Sequence, residues 1–363
     1  MAKIEYEPRS VRELLTEIKD VSDTMIDLAY AGLLFESKEI AGQVRGLENR
    51  MDELMYHIRI LATLSARSAD DAEKMSGILQ IANAVEMISN ATGDLADLVL
   101  RDIDVHPVVQ DALRKADEKI TRVKAARGSL LVGKKLSQLR LPSSIGVWVL
   151  VIKRDRKWML DPSPRTKLKA GDTLIAVGSE EGVDTLHEMA GVPKETWAVG
   201  RRLRRLRDTL AGMRDLDCML VDMAYSSVLF RSRDVAEEVR EMEEKFDKLN
   251  YEVWLAVLRA AKRERDVAQL NSVLQIAKCL ERISDAADSI ADVVLRRVEL
   301  HPVFERALEK SDEKIARVRI LKRSPLANRT LGKLDLWPRM GAFVLMIKRG
   351  RHYMFNPGKG TTV

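Results

Sequence analysis

The sequence predicts a multi-domain protein of the α and α+β class, in which a helical half and a strand-rich half occur twice in succession. The first observation behind this prediction is an internal repeat. Asp27–Tyr30 returns as Asp222–Tyr225, and His106–Pro107 returns as His301–Pro302, both at a spacing of 195 residues. The second is a change within each copy, from apolar residues at helical spacing to short continuous apolar runs. A repeat this long indicates a duplicated two-domain module rather than a solenoid.

The composition excludes several classes of protein. With 46% hydrophobic and 32% charged residues, the 363-residue chain resembles a folded globular protein. A net charge of +6 is too dilute over this length to predict a nucleic-acid partner. Ile145–Ile152, one of the longest apolar stretches, is far shorter than the ~20 residues that span a bilayer. Two isolated cysteines, Cys218 and Cys279, fit a reducing compartment. We therefore expect a cytoplasmic protein, at most peripheral at the inner face of the cell membrane.

The helical half of each copy has the pattern of a helix bundle. In the segment 38–60, apolar side chains recur every three or four positions, as at Ile40, Val44 and Leu47. Three such segments with short polar breaks predict an antiparallel three-helix bundle. A fourth helix is expected to begin at Pro107, because proline is tolerated in a first turn. The predicted helices cover about 9–35, 38–60, 73–100 and 107–126 in the first copy, and 202–230, 232–262, 266–297 and 302–321 in the second.

Acidic residues lie beside the bundle seam at a spacing of four. The pairs are Glu48 with Asp52, Glu243 with Asp247, and Glu281 with Asp285. Like charges one helical turn apart repel each other unless a cation or basic side chains intervene. Carboxylate oxygens suit Mg²⁺, Mn²⁺, Ca²⁺ or iron. The alternative is an ordinary solvated helix face, neutralised by nearby basic residues; the second copy offers Arg282, Lys245 and Lys248.

The combination E-x-x-x-D on the second helix and E-R-x-x-D on the third resembles the PhoU domain, a three-helix regulator of phosphate uptake and signalling. This resemblance implies metal binding at those motifs. In the second copy the matching residues are Glu243, Asp247, Glu281 and Asp285. In the first copy they are Glu48, Asp52 and Glu86, but the fourth position is Asn90, and Gly93 replaces Asp288. The departure makes the first site the weaker candidate.

The strand-rich half of the first copy resembles the TrkA-C (RCK-C) domain over its whole length. The motifs are VGKKLSQLRLP, GVWVLVIKR and LKAGDTLIAVGSEEGVDTL, with Asp161–Pro162 between them. The resemblance implies a cytosolic ligand-sensing module of potassium channels and transporters, which pairs with a second copy, binds cyclic di-adenylate in some members and is not a catalyst. The predicted elements are a strand at 130–132 running into a helix from 136, strands at 146–152, 157–160 and 173–177, and a helix at 180–189.

Two departures from this pattern limit what the resemblance implies. No G-x-G-x-x-G follows a strand, so NAD binding is not expected. The second copy is incomplete, because Val363 aligns with Leu168 at the same spacing of 195. The sequence thus predicts two PhoU-like antiparallel three-helix bundles, each followed by a small TrkA-C-like α/β domain. The expected domains are residues 9–126, 127–192, 200–321 and 322–363.

These features predict a cytosolic regulatory protein that senses a ligand or cation and controls a membrane potassium or cation transporter or channel. The second hypothesis is a PhoU-type regulator of phosphate transport and signalling. The third, a metal enzyme using the carboxylates, lacks the Glu-x-x-His companion of ferritin-like oxidases, and we expect no catalytic residues. The expected partners are the transporter and a small-molecule or cation ligand whose binding residues are unknown. No nucleic acid is expected, and the chain should form a homodimer or an internal pseudo-dimer.

Overall fold

The computed structural model describes residues 9–160, 162–194, 203–262, 267–299, 306, 308, 315–340, 342–350, 352–355 and 357–363. The chain divides into two compact units, and each unit is made of two separate stretches of the sequence. One, the helical unit, combines residues 1–112 with 202–316. The other, the sheet unit, combines residues 113–201 with 317–363. Each unit therefore contains the equivalent parts of both copies. The four domain boundaries predicted from the sequence remain a prediction.

The helical unit consists of two three-helix bundles. The first contains α1 (Val11–Phe35), α2 (Lys38–Ser65) and α3 (Ala69–Leu100), followed by the short α4 (Pro107–Lys115). The second contains α8 (Arg204–Leu229), α9 (Arg233–Ala260) and α10 (Val267–Leu295). In each bundle every helix packs on the other two. The spacing of 195 maps α2 onto α9 residue for residue, so the predicted bundles and fold class are confirmed.

Local sequence explains where the first three helices begin. The Ser10 hydroxyl accepts a hydrogen bond from the backbone N–H of Glu13, whose side chain in turn accepts from the Ser10 N–H. Such a capping box satisfies two of the unpaired N–H groups in a first turn. Ser37 and Ser68 cap α2 and α3 in a similar way. The helices then bury their seams; Leu14, Met25, Ile40 and others on these faces have almost no exposed surface.

The two bundles join through α3 and α10, and polar groups are buried at the join. The Tyr30 hydroxyl donates a hydrogen bond to Asp217 Oδ2 at 3.0 Å, and the Arg214 guanidinium lies 5.5 Å from the centre of the Tyr30 ring. In the equivalent positions, Lys19 Nζ lies 5.3 Å from the ring of Tyr225. Tyr30 and Tyr225 are repeat equivalents, as are Lys19 and Arg214. The join is therefore approximately two-fold symmetric, with cation–π contacts on both sides.

The sheet unit contains an antiparallel four-stranded sheet with the strand order β1-β4-β2-β3. Its strands are β1 (Lys119–Lys124), β2 (Val147–Arg154), β3 (Lys157–Met159) and β4 (Thr173–Gly178). The helices are α5 (Leu136–Leu139), α6 (Leu141–Ile145) and α7 (Glu180–Ala190), which packs against the sheet. The three predicted strands after residue 146 and the two predicted helices are present. Asp161 of the quoted Asp-Pro pair lies outside the described residues.

Two predicted elements were wrong. The helix expected over 107–126 ends at Lys115, and Lys119–Lys124 form β1 instead. In this strand Val123 is buried while Arg122 and Lys124 are exposed, the alternation of a sheet edge. The strand expected at 130–132 is a turn, which does not pair with any strand of the described sheet. Leu131 is nevertheless buried in the core of this unit.

The second strand-rich segment forms a smaller structure in the same unit. It contains α11 (Leu331–Leu334), α12 (Leu336–Met340) and the antiparallel pair β5 (Met346–Arg349) and β6 (His352–Phe355). α12 packs on its repeat equivalent α6, and the Trp148 and Trp337 rings stack at 6.1 Å. Of the helix predicted over 302–321, residues 315–321 are not helical, and most of the rest lies outside the described residues. No helix in the described ranges is long and apolar enough to cross a membrane.

Candidate functional site

Five carboxylates lie on neighbouring faces of α9 and α10, and we call them the second acidic cluster. Each of its members comes from a helix whose buried seam fixes the direction of the polar side. The α9 seam residues Met242 and Phe246 are buried, as are Ile283 and Ala287 on α10. Residues next to these seams are turned to the margin of the contact between the two helices. The cluster contains Glu243 and Asp247 on α9, and Glu281, Asp285 and Asp288 on α10.

Burial and neighbouring carboxylates raise the pKa of three members of this cluster. Burial raises the pKa of Glu243 to about 7, with further contributions from Asp247, Asp288 and Asp285. The pKa of Asp285 is also raised, by burial and by Asp247 and Asp288. Burial and Asp285 raise the pKa of Glu281 in the same direction. Ionisation of these three side chains is therefore unfavourable where they stand, and a nearby cation would offset that cost.

The second acidic cluster has fewer basic groups near it than carboxylates: Arg240 pairs with Asp288, and Lys278 lowers the pKa of Glu281. Arg240 forms an ion pair of 3.4 Å with Asp288, but it also binds Asp292 at 2.9 Å. Of the basic residues that the sequence offered, Arg282 is directed away to form a hydrogen bond with Asp94 of the first bundle. Lys245 is 3.9 Å from Glu238 on its own helix. These two residues form their ion pairs elsewhere. Asp247 and Asp285 are exposed to solvent, as the alternative of a solvated helix face predicts.

A buried amide adds a polar group that the sequence analysis missed. Asn250 lies on α9, and its side chain forms a hydrogen bond to Glu281. Its other polar atom, Oδ1, is buried and has no hydrogen-bond partner among the described residues. The first copy has Met55 at this position. An asparagine within an otherwise apolar seam was the available signal, since buried amides normally find partners.

The equivalent residues of the first copy are neutralised by arginines. Arg45 binds both Glu48 and Asp97, and Arg59 binds Glu86. We call Glu48, Asp52 and Glu86 the first acidic cluster. The second copy retains Arg240 in place of Arg45 but has Trp254 in place of Arg59. The two clusters therefore have carboxylates at equivalent positions of the repeat but differ in the number of arginines that neutralise them.

Gly93 shows how the first acidic cluster uses its space. A Cβ atom on this glycine would lie 2.7 Å from Glu48 Oε2. In the second copy this position is Asp288. The Glu48 carboxylate thus occupies the place where the second copy carries an additional side chain. This packing brings Glu48 to Arg45, and a fourth carboxylate at position 93 would require the Glu48 side chain to move.

The side chains of the described residues do not already form a metal centre. No group of three or more Asp, Glu, His or Cys side chains in these ranges stands in a metal-holding arrangement. Carboxylates on adjacent turns can approach one ion by rotating their side-chain dihedral angles. Metal binding at Glu243, Asp247, Glu281 and Asp285, and at Glu48, Asp52 and Glu86, therefore stays a prediction.

Comparison with known proteins assigns domains to two parts of the chain. Residues 120–191 match the TrkA-C domain, and residues 210–294 match the PhoU domain. The chain joins a TrkA-C domain to a PhoU domain. Both resemblances noted in the sequence are thereby confirmed, and both domains are regulatory rather than catalytic families. The whole second acidic cluster lies within the PhoU match.

Two individual proteins are similar to this chain at low identity. The ammonium/H⁺ antiporter subunit AmhM of Alkalihalophilus pseudofirmus is 21% identical over 120 residues, which are 33% of this chain and 72% of that protein. The crystal structure of PhoU from Pseudomonas aeruginosa is 13% identical, with a TM-score of 0.44. That comparison covers 78% of this chain and 93% of the PhoU chain.

Proposed function

We propose that this protein is a cytoplasmic regulator that controls a membrane transporter or channel for potassium or another cation. TrkA-C domains typically regulate membrane transporters, and the match to this domain covers residues 120–191. The low-identity similarity to an antiporter subunit points in the same direction. A regulator of this kind has no catalytic residues, and it acts from the inner face of the membrane.

The PhoU domain supplies the sensing site in this proposal. Glu243, Asp247, Glu281 and Asp285 bind a divalent cation, Mg²⁺, Mn²⁺, Ca²⁺ or iron, through hard oxygen ligands. The observation that carries this assignment is the charge imbalance: the five carboxylates have near them Lys278, which acts on Glu281, and Arg240, which pairs with Asp288 and is shared with Asp292. A cation bound here relieves the electrostatic repulsion between these carboxylates.

The first acidic cluster is a weaker cation site in the same proposal. Glu48, Asp52 and Glu86 retain the oxygen ligands, but an ion has to displace Arg45 from Glu48 and Arg59 from Glu86. Each displacement breaks a charge-assisted contact, which lowers the affinity for the ion. The duplicated chain then binds one ion tightly, in its second bundle, and a second ion only at higher concentration.

Ion binding can regulate a partner only if the protein has two conformations that bind the ion with different affinities. The second acidic cluster spans α9 and α10, so an ion that pulls their carboxylates together favours one relative position of these helices. α10 also packs on α3 of the first bundle. A shift of α10 is therefore transmitted through the join between the two bundles.

Thermal unfolding with added cations tests the sensing site. Binding to the native state alone raises stability by about 2.7 kcal/mol at a hundredfold excess over Kd. We expect this rise for the wild-type protein with at least one of Mg²⁺, Mn²⁺, Ca²⁺ and Fe²⁺. It should disappear in Glu281→Gln/Asp285→Asn and persist in the matched first-copy variant Glu86→Gln. Equal curves for wild type and the double variant would refute the assignment.

A PhoU-type regulator of phosphate transport is the second candidate, and the match at residues 210–294 favours it. Deleting the gene from its host, then measuring growth at low potassium and the uptake of cations and of phosphate, distinguishes the cation regulator from the phosphate regulator. Impaired growth at low potassium or altered potassium and ammonium flux supports the cation proposal. Derepressed phosphate uptake supports the alternative. Detectable turnover that is lost with Glu281→Gln would instead revive a metal enzyme.

A further inference from the structure

The outer face of α9 carries large apolar side chains in contact with water. Tyr251 is 66% exposed, Trp254 41% and Leu258 58%. Their spacing of three and four residues places them on one face of the helix. We call these three residues the α9 stripe. Isolated exposed apolar residues are common, but aromatic residues grouped on one face mark interaction surfaces.

The repeat shows that the α9 stripe is not needed for folding the bundle. The equivalent positions of the first copy are Tyr56, Arg59 and Thr63. Tyr56 is 38% exposed, and Arg59 is engaged with Glu86. The same helix in the same bundle thus folds with a polar outer face. Trp254 and Leu258 are apolar in the second copy alone, so folding of the bundle does not explain why they are apolar.

Opposite charges flank the α9 stripe along the helix. Glu243 and Asp247 precede it, and Lys262, exposed in the turn after the helix, follows it. At about 100° per residue, Glu243, the stripe and Lys262 fall within an arc of about 100°. An antiparallel copy of the same helix would bring Glu243 opposite Lys262, Tyr251 opposite Trp254 and Leu258 opposite Asp247, once in each direction. The charged pair and the aromatic pair are complementary when the face is reversed, as an isologous interface requires.

We propose that two copies of this chain associate through α9, antiparallel, with the α9 stripes in contact and Lys262 of each chain facing the second acidic cluster of the other. This inference does not depend on the proposed function. One divalent ion leaves the five carboxylates of that cluster with excess negative charge, so the lysine remains attractive with or without the ion. The contact runs about 28 Å along one helix of each chain. A contact made by a single helix from each side is typical of a reversible dimer, whose population depends on protein concentration.

Sedimentation equilibrium of the full chain, in EDTA and over a range of protein concentrations, tests the proposal. We expect a reversible monomer–dimer equilibrium. Trp254→Arg/Leu258→Thr installs the first-copy residues and should raise the dimer dissociation constant at least tenfold, because buried tryptophan and tyrosine dominate interface energies. The matched first-copy variant Tyr56→Ala should leave the constant unchanged. A wild-type chain that remains monomeric, or a stripe variant that dimerises like the wild type, would overturn the proposal.

Charge reversal tests the antiparallel register independently of the stripe. Lys262→Glu and Glu243→Lys should each weaken the dimer, since each places like charges opposite one another. The double variant Glu243→Lys/Lys262→Glu should recover most of the wild-type affinity. Lys262 is exposed, so its reversal leaves the bundle core intact. Additive weakening in the double variant would rule out this register and contradict the proposal.

Discussion

Replacing Glu243 by Gln should stabilise the metal-free protein at pH 8 and leave its stability at pH 4.5 almost unchanged. In the folded chain the pKa of Glu243 is raised from 4.5 to about 7 by burial and by neighbouring carboxylates. The folded state therefore holds this proton more tightly than the unfolded state between these two values. The free energy of unfolding consequently falls as the pH rises from about 4.5 to 7, and the full penalty remains above that range.

The size of the effect follows from the shift. At ~1.4 kcal/mol per pKa unit, a change from 4.5 to about 7 corresponds to at most about 3.5 kcal/mol. Solvent reaches the partly buried side chain and screens it, so we expect a gain of about 1 kcal/mol for Glu243→Gln at pH 8. The matched variant Glu48→Gln removes a carboxylate that Arg45 neutralises, and it should give no gain.

Urea unfolding of wild type and both variants at pH 4.5 and pH 8, in EDTA, measures these differences. A gain for Glu243→Gln that is present at pH 8 and absent at pH 4.5 supports the reasoning. The same gain at both pH values would trace it to packing rather than to charge. Loss of stability at pH 8 would show that the Glu243 carboxylate is neutralised after all.

Three further predictions concern buried contacts elsewhere in the chain. Arg154→Lys should destabilise the sheet unit by several kcal/mol in thermal melts, because it breaks a bidentate contact of 2.8 and 2.7 Å with the buried Asp172. Tyr30→Phe should cost about 1–3 kcal/mol by removing the donor to buried Asp217, and in urea unfolding the cost should shrink when Asp217 is replaced by Ser. Gly93→Ala should stabilise the protein by less than the ~1 kcal/mol typical of this change in a helix, because the new Cβ would lie 2.7 Å from a carboxylate oxygen of Glu48. A gain of the full ~1 kcal/mol in calorimetry would show that this carboxylate moves freely.

The helices could be predicted from the sequence because their apolar residues repeat with the helical period over many turns. β1 could not be predicted in that way. Pro107 correctly indicated a helix start, and nothing in residues 116–118 marks its end as strongly as a glycine or proline would. Ile120 and Val123 favour a strand. The pairing of Lys119–Lys124 with β4 is a long-range contact, and it overrides the local helical pattern.

The position of the carboxylates on the helices could be predicted from the sequence, but the charge balance around them could not. The spacing of Glu243 and Asp247 places both on one helix face in any arrangement of the bundle. Whether an arginine reaches them depends on which side of the helix contact it occupies. Arg282 follows Glu281 directly in sequence, yet it reaches across to the first bundle. Such choices are made by packing between distant segments, so a single sequence does not reveal them.

The polar groups buried where the bundles meet also influence which halves can assemble during folding. Tyr30 of the first copy meets Asp217 of the second, whereas the first copy itself carries Ser22 at the position of Asp217. If two first-copy bundles from different chains came together, Tyr30 would find a serine there. Neighbouring similar domains are prone to such exchange. The mismatch therefore favours pairing of a first-copy bundle with a second-copy bundle over pairing of two first-copy bundles.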